Sequence, residues 1–367
     1  MGRPENGAAL RFVASAALVC GSCSAPTFPG FVSADPVVVI EDAGSDVSSL
    51  AFSPDSTAVL VGTNPCARLW DVASGTERVL LRRPERDARS GSAGFGSRPA
   101  VFSPDGRMVV AASNACVYVF DASSGELRWR LETPFDSRQS VAVTADSSTL
   151  VWAGSQSHGM WRSHWRTDVI AWDLSTGNVA RRETIEDAQA LGLSADGSSI
   201  AIIENTKSLC VLELASRERS LEWDGLKQHG FRGVSFAPDG RSVGAVHFTR
   251  GVDVFSLTVP RAPRATLQDR DLTSFSSFAI SPDGTLGAIG AVGSTVELVH
   301  LPAGTTACKT MYRKFPYGPG GVEAVAFSSD GKLLAEADGP ERLLVWNVDE
   351  LLADPSAVRP TSAARNR

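Results

Sequence analysis

The segment SLAFSPDSTAVLVGTNPCARLWDVASG, residues 49–75, contains the pattern that decides the fold. Two short apolar stretches, SLAFS and AVLVG, flank the tetrapeptide SPDS, and a third, ARLWD, follows at 67–71. Asp followed by Gly or Ser suits a tight turn, because the Asp side chain hydrogen-bonds to nearby backbone and Gly tolerates positive φ. The segment therefore predicts a hairpin of two buried strands followed by a third strand.

The same marker, a small or hydroxyl residue followed by x-Asp-Gly or x-Asp-Ser, occurs seven times. The markers are spaced by about 46 residues on average, which is the period of propeller blades. Their aspartates are Asp55, Asp105, Asp146, Asp196, Asp239, Asp283 and Asp330.

In most units the third stretch carries an aromatic residue near its end. Gly-containing turns such as ASGT (73–76) and a more polar fourth stretch follow it. Seven units of four short antiparallel strands, without a long helical pattern, predict an all-β fold, a seven-bladed β-propeller. We expect the third-strand residues to be wedges between blades: Trp70, Phe120, Trp172, Phe255 and Trp346, with Leu212 and Val299 in the other two units.

The last unit, 324–348, lacks a fourth strand, and the sequence after it is not strand-like. At the other end of the chain, PVVVIE at 36–41 is β-branched and stands in the register of a fourth strand. We therefore predict that residues 37–41 pair with 342–348. This pairing closes the ring and covers an open sheet edge.

SPDG, the apolar strand after it, Trp-Asp at 70–71 and 172–173, and the period together resemble a WD-repeat protein. The resemblance covers about residues 36–348. This sequence departs from the family pattern because the Gly-His dipeptide is absent from all seven units and Trp-Asp ends the third stretch in only two. The resemblance implies a non-catalytic scaffold that binds other proteins on one face or across the central channel.

Composition and charge exclude some classes of partner. With 35 Lys+Arg against 41 Asp+Glu, the formal net charge is -6, so we expect no nucleic-acid partner. No apolar run is long enough to span a bilayer, so we expect no transmembrane segment. Cys66, Cys116 and Cys210 lie in strand-like segments and are expected to be buried free thiols, although a Cys66–Cys116 disulfide is possible.

The termini set the predicted domain limits at 1–35, 36–348 for the propeller, and 349–367 for a C-terminal tail. Residues 1–35 combine a polar start, an apolar stretch at 10–21 and small residues at 21–25. This pattern fits either a secretory leader or a disordered tail. Export and a cytoplasmic location therefore both stay open.

Three connections carry basic and aromatic residues, and the WD-repeat arrangement places all three on one face. They are residues 83–99, 155–167 and 313–321. Trp, Tyr and Arg dominate interface energetics, and Arg binds carboxylates and phosphates in a forked geometry. We therefore expect a protein or peptide partner, acidic or phosphorylated, at Arg83, Arg86, Arg89, Trp161, Arg162, His164, Trp165, Arg166, Arg313, Phe315 and Tyr317.

Plainer interpretations of two of these loops stay open. Residues 83–99 can be a solvated loop, and 155–167 can be a hairpin extension whose tryptophans pack on the propeller.

Catalysis has little support in the sequence, so we expect no enzyme activity and no cofactor. No Gly-x-Ser-x-Gly, His-Glu-x-x-His or P-loop motif occurs. His158, His164 and Asp168 can be imagined as metal ligands, but their loose spacing does not favour a metal site. The alternative function is an exported propeller, similar to lactonases or quinoproteins, that binds or processes a small molecule in its channel.

Overall fold

The computed structural model describes residues 35–44, 47–63, 66–82, 84, 99–113, 116–134, 139–158, 164–204, 208–223, 231–247, 252–258, 263–267, 275–291, 295–301, 304–311, 321–339 and 341–353. In this part of the chain, twenty-eight strands form seven four-stranded antiparallel sheets. The predicted seven-bladed β-propeller is therefore confirmed.

Each of the first six blades is built from four consecutive strands. The strands of blades 1 to 3 are β2 (Ser49–Phe52), β3 (Ala58–Gly62), β4 (Cys66–Asp71) and β5 (Glu77–Arg82); β6 (Ala100–Phe102), β7 (Met108–Ala112), β8 (Cys116–Asp121) and β9 (Leu127–Glu132); β10 (Gln139–Val143), β11 (Thr149–His158), β12 (His164–Asp173) and β13 (Val179–Glu186).

Blades 4 to 6 repeat this arrangement. Their strands are β14 (Ala188–Leu193), β15 (Ser199–Glu204), β16 (Ser208–Glu213) and β17 (Arg219–Trp223); β18 (Phe231–Phe236), β19 (Ser242–His247), β20 (Val252–Ser256) and β21 (Pro263–Leu267); β22 (Phe275–Ile280), β23 (Leu286–Ala291), β24 (Thr295–His300) and β25 (Thr305–Met311).

Blade 7 combines the two ends of the fold. It contains β26 (Val322–Phe327), β27 (Leu333–Asp338), β28 (Arg342–Asn347) and, as its outer strand, β1 (Val38–Ile40). The pairs Val38↔Val345 and Ile40↔Leu343 fix the register. The predicted closure of the ring is confirmed.

The apolar core is divided into seven clusters, one between each pair of neighbouring blades. Each cluster contains one of the predicted third-strand wedges. Trp70 packs between blades 7 and 1, for example, and Trp346 packs between blades 6 and 7. The blades therefore bury their faces only against each other, as expected for a ring of repeats.

The marker turns share one hydrogen-bond network. In blade 1, the Ser53 hydroxyl donates to Asp55 Oδ1 at 2.5 Å and accepts from the backbone N–H of Ala58 at 2.9 Å. Asp55 Oδ1 also accepts from the backbone N–H of Thr57. The equivalent hydroxyl–aspartate bond recurs in blades 2, 3, 4, 6 and 7. These bonds explain why Ser or Thr opens the marker in those blades.

Blade 5 differs because Ala237 stands at the hydroxyl position. Asp239 keeps its bond from the backbone N–H of Arg241 at 2.9 Å, but no side chain donates to it among the described residues. Ala237 is fully buried and its backbone N–H still bonds to Ser242. The turn therefore keeps its shape with part of the network missing.

The chain continues after β28 as one short helix, α1 (Val348–Ala353). The side chain of Asn347 caps it by accepting from the backbone N–H of Glu350 at 3.1 Å. Val348 and Leu351 pack into the cluster between blades 6 and 7. No helix within the described ranges is long and apolar enough to cross a membrane. The predicted limits at 35 and 349 remain predictions.

Three cysteines of the described part, Cys116, Cys210 and Cys308, are buried and form no disulfide. The Cys66–Cys116 disulfide is therefore not formed. Burial raises the pKa of the Cys210 thiol to about 11, so it stays protonated and unreactive at neutral pH.

Candidate functional site

The connections between strands define two faces of the ring. Because the strands of each blade are antiparallel, the connections from second to third strands and from fourth strands to the next blade lie on the same side. We call this side the upper face. The strand ends that anchor residues 83–99, 159–163 and 312–320 all lie there, as the sequence predicts.

Blade 3 extends beyond its neighbours on the upper face. β11 and β12 pair without interruption from Thr149↔Asp173 to His158↔His164, whereas the second and third strands of the other blades have five or six residues. Four pairs, starting at Ser155↔Thr167, add a ribbon about 13 Å long at roughly 3.3 Å per residue. We call this ribbon, residues 155–158 and 164–167, the blade 3 arm.

One side of the arm is tied to blade 4. The hydroxyls of Ser155 and Thr167 bond across the ribbon at 2.8 Å, and Thr167 donates to the carbonyl oxygen of Ala188 at 2.7 Å. Both hydroxyl residues are fully buried. Trp165 lies on the same side of the ribbon, two residues further from the ring than Thr167, and is half-buried. These bonds give the arm a fixed base.

The other side of the arm faces blade 2 and carries charged residues. Asp168 is fully buried, and its two oxygens accept from Arg166 Nε at 3.2 Å and Arg182 Nη2 at 3.2 Å. The hydroxyl of Thr184, directly across β13, donates to Asp168 Oδ1 at 2.7 Å. Arg166 Nη2 also bonds to the Thr184 hydroxyl at 3.4 Å. We call these four residues the Asp168 cluster.

Two arginines share one carboxylate in this cluster. Both guanidinium groups stay accessible, with 44% of the Arg166 side chain and 54% of the Arg182 side chain exposed. Glu186 lies across from Arg166 on β13, is exposed, and makes no ion pair with it among the described residues. The cluster therefore presents fixed N–H donors to solvent on the upper, outer part of blade 3.

Three of the predicted site residues, His164, Trp165 and Arg166, lie in β12 and within the arm. Their role in binding a partner stays a prediction. The others fall outside the described residues and remain predictions: Arg83, Arg86, Arg89, Trp161, Arg162, Arg313, Phe315 and Tyr317.

Arg182 and Thr184 are additions that the sequence analysis missed. The sequence showed only that both residues lie in the fourth strand of blade 3. Placing them beside Asp168 requires the register between β12 and β13.

Of the three considered metal ligands, only Asp168 has a described side chain. Asp168 already accepts bonds from two arginines and a hydroxyl, and no group of three metal-ligating side chains converges in the described part of the chain. His158 and His164 pair across the end of the arm.

The central channel has a volume of about 990 Å³ and is lined by the first strands of all seven blades. Its described lining consists mainly of serine hydroxyls, backbone and apolar side chains. Glu323 is the only carboxylate among those lining residues, and Gln139 is the only amide. The Gln139 side chain already bonds to Trp152 Nε1 and to the carbonyl oxygen of Ser113. The lining therefore offers no converging set of metal or cofactor ligands.

Seven four-stranded sheets closed by a strand from the chain's beginning define the class of β-propeller proteins. Residues 35–71 match the family model described as WD domain, G-beta repeat. The match covers β1 and the first three strands of blade 1, and it ends at the Trp70-Asp71 pair. Together, the match and the seven blades support a WD-repeat propeller protein. Comparison with curated proteins gives no match. Propellers of this family are typically non-catalytic scaffolds for protein interaction.

Proposed function

We propose that this protein is a non-catalytic scaffold that binds a partner protein on its upper face, with the blade 3 arm as the main contact. The observation that carries this proposal is the arm itself. It extends beyond the ring, is fixed at its base by the bonds of Ser155 and Thr167, and presents Trp165 on one side and Arg166 on the other. Rigid presentation lowers the entropy lost on binding.

Charge supports the same surface. The chain is acidic overall, at -6, yet the three upper-face connections and the Asp168 cluster are rich in arginine. A locally basic surface on an acidic protein favours an acidic segment of a partner. Trp165 adds a half-buried aromatic group of the kind that anchors interfaces.

The test compares partner capture by variants of the whole protein. Replacing residues 156–166 by Asn-Gly shortens the second and third strands of blade 3 to seven residues, close to the five or six of the other blades, and keeps the Ser155–Thr167 pair. Glu126→Ala changes an exposed residue in a lower-face turn of blade 2 and is the control.

In quantitative affinity purification, we expect the wild type and Glu126→Ala to retain the same partner and the shortened variant to lose it. If the shortened variant folds, as judged by its melting temperature, and retains every partner, the proposal is wrong.

A further inference from the structure

The Asp168 cluster has more positive charge than its buried carboxylate balances. Two guanidinium groups share Asp168, so these three side chains carry a formal excess of one positive charge. Each guanidinium has five N–H donors. Arg166 uses one on Asp168 and one on Thr184, and Arg182 uses one on Asp168. Their other donors find no acceptor among the described residues.

The geometry is preorganised for an anion. Asp168 cannot move because it is fully buried and is also held by the Thr184 hydroxyl at 2.7 Å. It therefore anchors both arginines while leaving about half of each side chain exposed. Arginine side chains lose rotamer entropy when they bind a ligand, and this anchoring reduces that loss.

Charge balance selects the kind of anion. A carboxylate carries one negative charge and neutralises the excess, whereas a phosphoryl group carries about 1.5 to 2 at neutral pH and overshoots it. Glu186, exposed and opposite Arg166, adds repulsion that is stronger for a dianion. The cluster therefore fits a carboxylate better than a phosphate.

We propose that Arg166 and Arg182, held by Asp168, bind the carboxylate of an Asp or Glu side chain in the partner. This inference rests on the proposed scaffold function and gives its partner an acidic contact segment. The site lies on the side of the arm that faces blade 2. Trp165 lies on the opposite side of the arm.

Arg181 provides a matched control for Arg182. The two residues are adjacent on β13, have side chains 48% and 54% exposed, and point to opposite faces of the strand. Arg181 bonds instead to Glu183 and to the carbonyl oxygen of Leu214. Arg181→Gln therefore changes the net charge as Arg182→Gln does and leaves the cluster intact.

The experiment measures binding of a fluorescein-labelled hexaglutamate peptide to the full chain by fluorescence anisotropy at low salt. We expect Arg166→Gln and Arg182→Gln each to raise the Kd at least fivefold, and Arg181→Gln to change it less than twofold. Glu186→Gln should lower the Kd because it removes a repulsive charge. Melting temperatures of the four variants check that each is folded.

Three results overturn the inference. If hexaglutamate does not bind the wild type, the site does not exist. If Arg181→Gln and Arg182→Gln raise the Kd equally, the binding is general charge attraction. A phosphoserine peptide of the same length that binds these arginines tenfold more tightly makes it a phosphate site. Loss of the partner in the shortened-arm variant, alongside any of these results, leaves the scaffold proposal standing and removes only the carboxylate contact.

Discussion

Val38 lies directly opposite Val345 on the neighbouring strand, although the two residues stand near opposite ends of the propeller sequence. The backbone N–H of Val37 extends this ladder by bonding to the carbonyl oxygen of Val345 at 2.7 Å. β1 thus supplies the fourth strand that the end of the chain lacks, and the ring closes without a covalent link.

The closure predicts a strong effect at Ile40 and a weak one at Val37. Ile40 is buried between blades 7 and 1, whereas Val37 is 53% exposed. Ile40→Ala should lower the free energy of unfolding by about 2–5 kcal/mol, and Val37→Ala by well under 1 kcal/mol. Deleting residues 36–42 should lower the melting temperature sharply. An unchanged melt after the deletion would show that β1 does not hold the ring.

Blade 5 offers a stabilising substitution. Ala237→Ser restores the hydroxyl that the other six markers possess, with Asp239 as acceptor and the backbone N–H of Ser242 as donor. A net gain of about 0.5–1.5 kcal/mol is expected for the added hydrogen bonds. Ser281→Ala in blade 6 removes the same bonds and should destabilise by a similar amount. Chemical denaturation measures both, and a less stable Ala237→Ser variant contradicts the prediction.

Ser56 carries backbone strain that glycine would relieve. Its φ is 61°, in the left-handed region, where glycine occupies the equivalent position of five other markers. A non-glycine residue there costs about 1–2 kcal/mol, and glycine costs about 0.5–1 kcal/mol in chain entropy, so Ser56→Gly should stabilise by up to about 1.5 kcal/mol.

Ser147 is the comparison for Ser56. Its φ is 57°, but its hydroxyl also accepts from the backbone N–H of Asp105 in blade 2 at 3.1 Å. Ser147→Gly should therefore show a smaller gain or none. Thermal melts distinguish the two variants, and equal gains would mean that the bond between blades contributes nothing.

Glu336 predicts an unusual pH dependence. It is fully buried in blade 7 with Thr310 as hydrogen-bond donor, next to the ion pair of Asp338 and Arg342 at 2.6 Å. Burial, with Asp338 second, raises the pKa of Glu336 to about 8. The folded state therefore keeps a proton that the unfolded state loses above its ordinary pKa of about 4.5. This group makes stability fall as the pH rises from about 4.5 to 8, and the loss is complete above that range.

Glu336→Gln should remove this slope. The amide oxygen can still accept from Thr310, and no charge is buried at high pH. We expect the melting temperature of the variant to exceed that of the wild type by several degrees at pH 8 and to equal it near pH 4. Glu126→Gln, at an exposed position, is the control. If the wild type melts below Glu336→Gln by the same number of degrees at pH 4 and at pH 8, the assignment is wrong.

Much of the fold could be predicted because each blade repeats the same local chemistry. Ser or Thr with Asp forms the marker turn, and the third-strand aromatic residue packs against the preceding blade. Even the closure was visible, because a β-branched stretch before the first unit had no other partner. A repeated local signal needs no knowledge of distant contacts.

The partners of Asp168 required the register of blade 3. The turn after β12 contains Gly177 at a φ of 72°, and β13 then has one extra residue opposite Ala171/Trp172, which is a bulge. Such turns shift the register by one residue. Without the bulge, Glu183 would lie opposite Asp168 and Arg182 would lie on the other face. The sequence around 155–167 therefore indicated Arg166, and the bulge determined that Arg182 shares Asp168 with it.

The sequence by itself determined the seven blades, their turns and the strand that joins the two ends, because these depend on short-range hydrogen bonds and on alternating apolar residues. Only the tertiary structure decided which charged residues meet at the base of the blade 3 arm. Side chains far apart in sequence come together through strand register, and a shift of one residue moves each of them to the opposite face of the sheet.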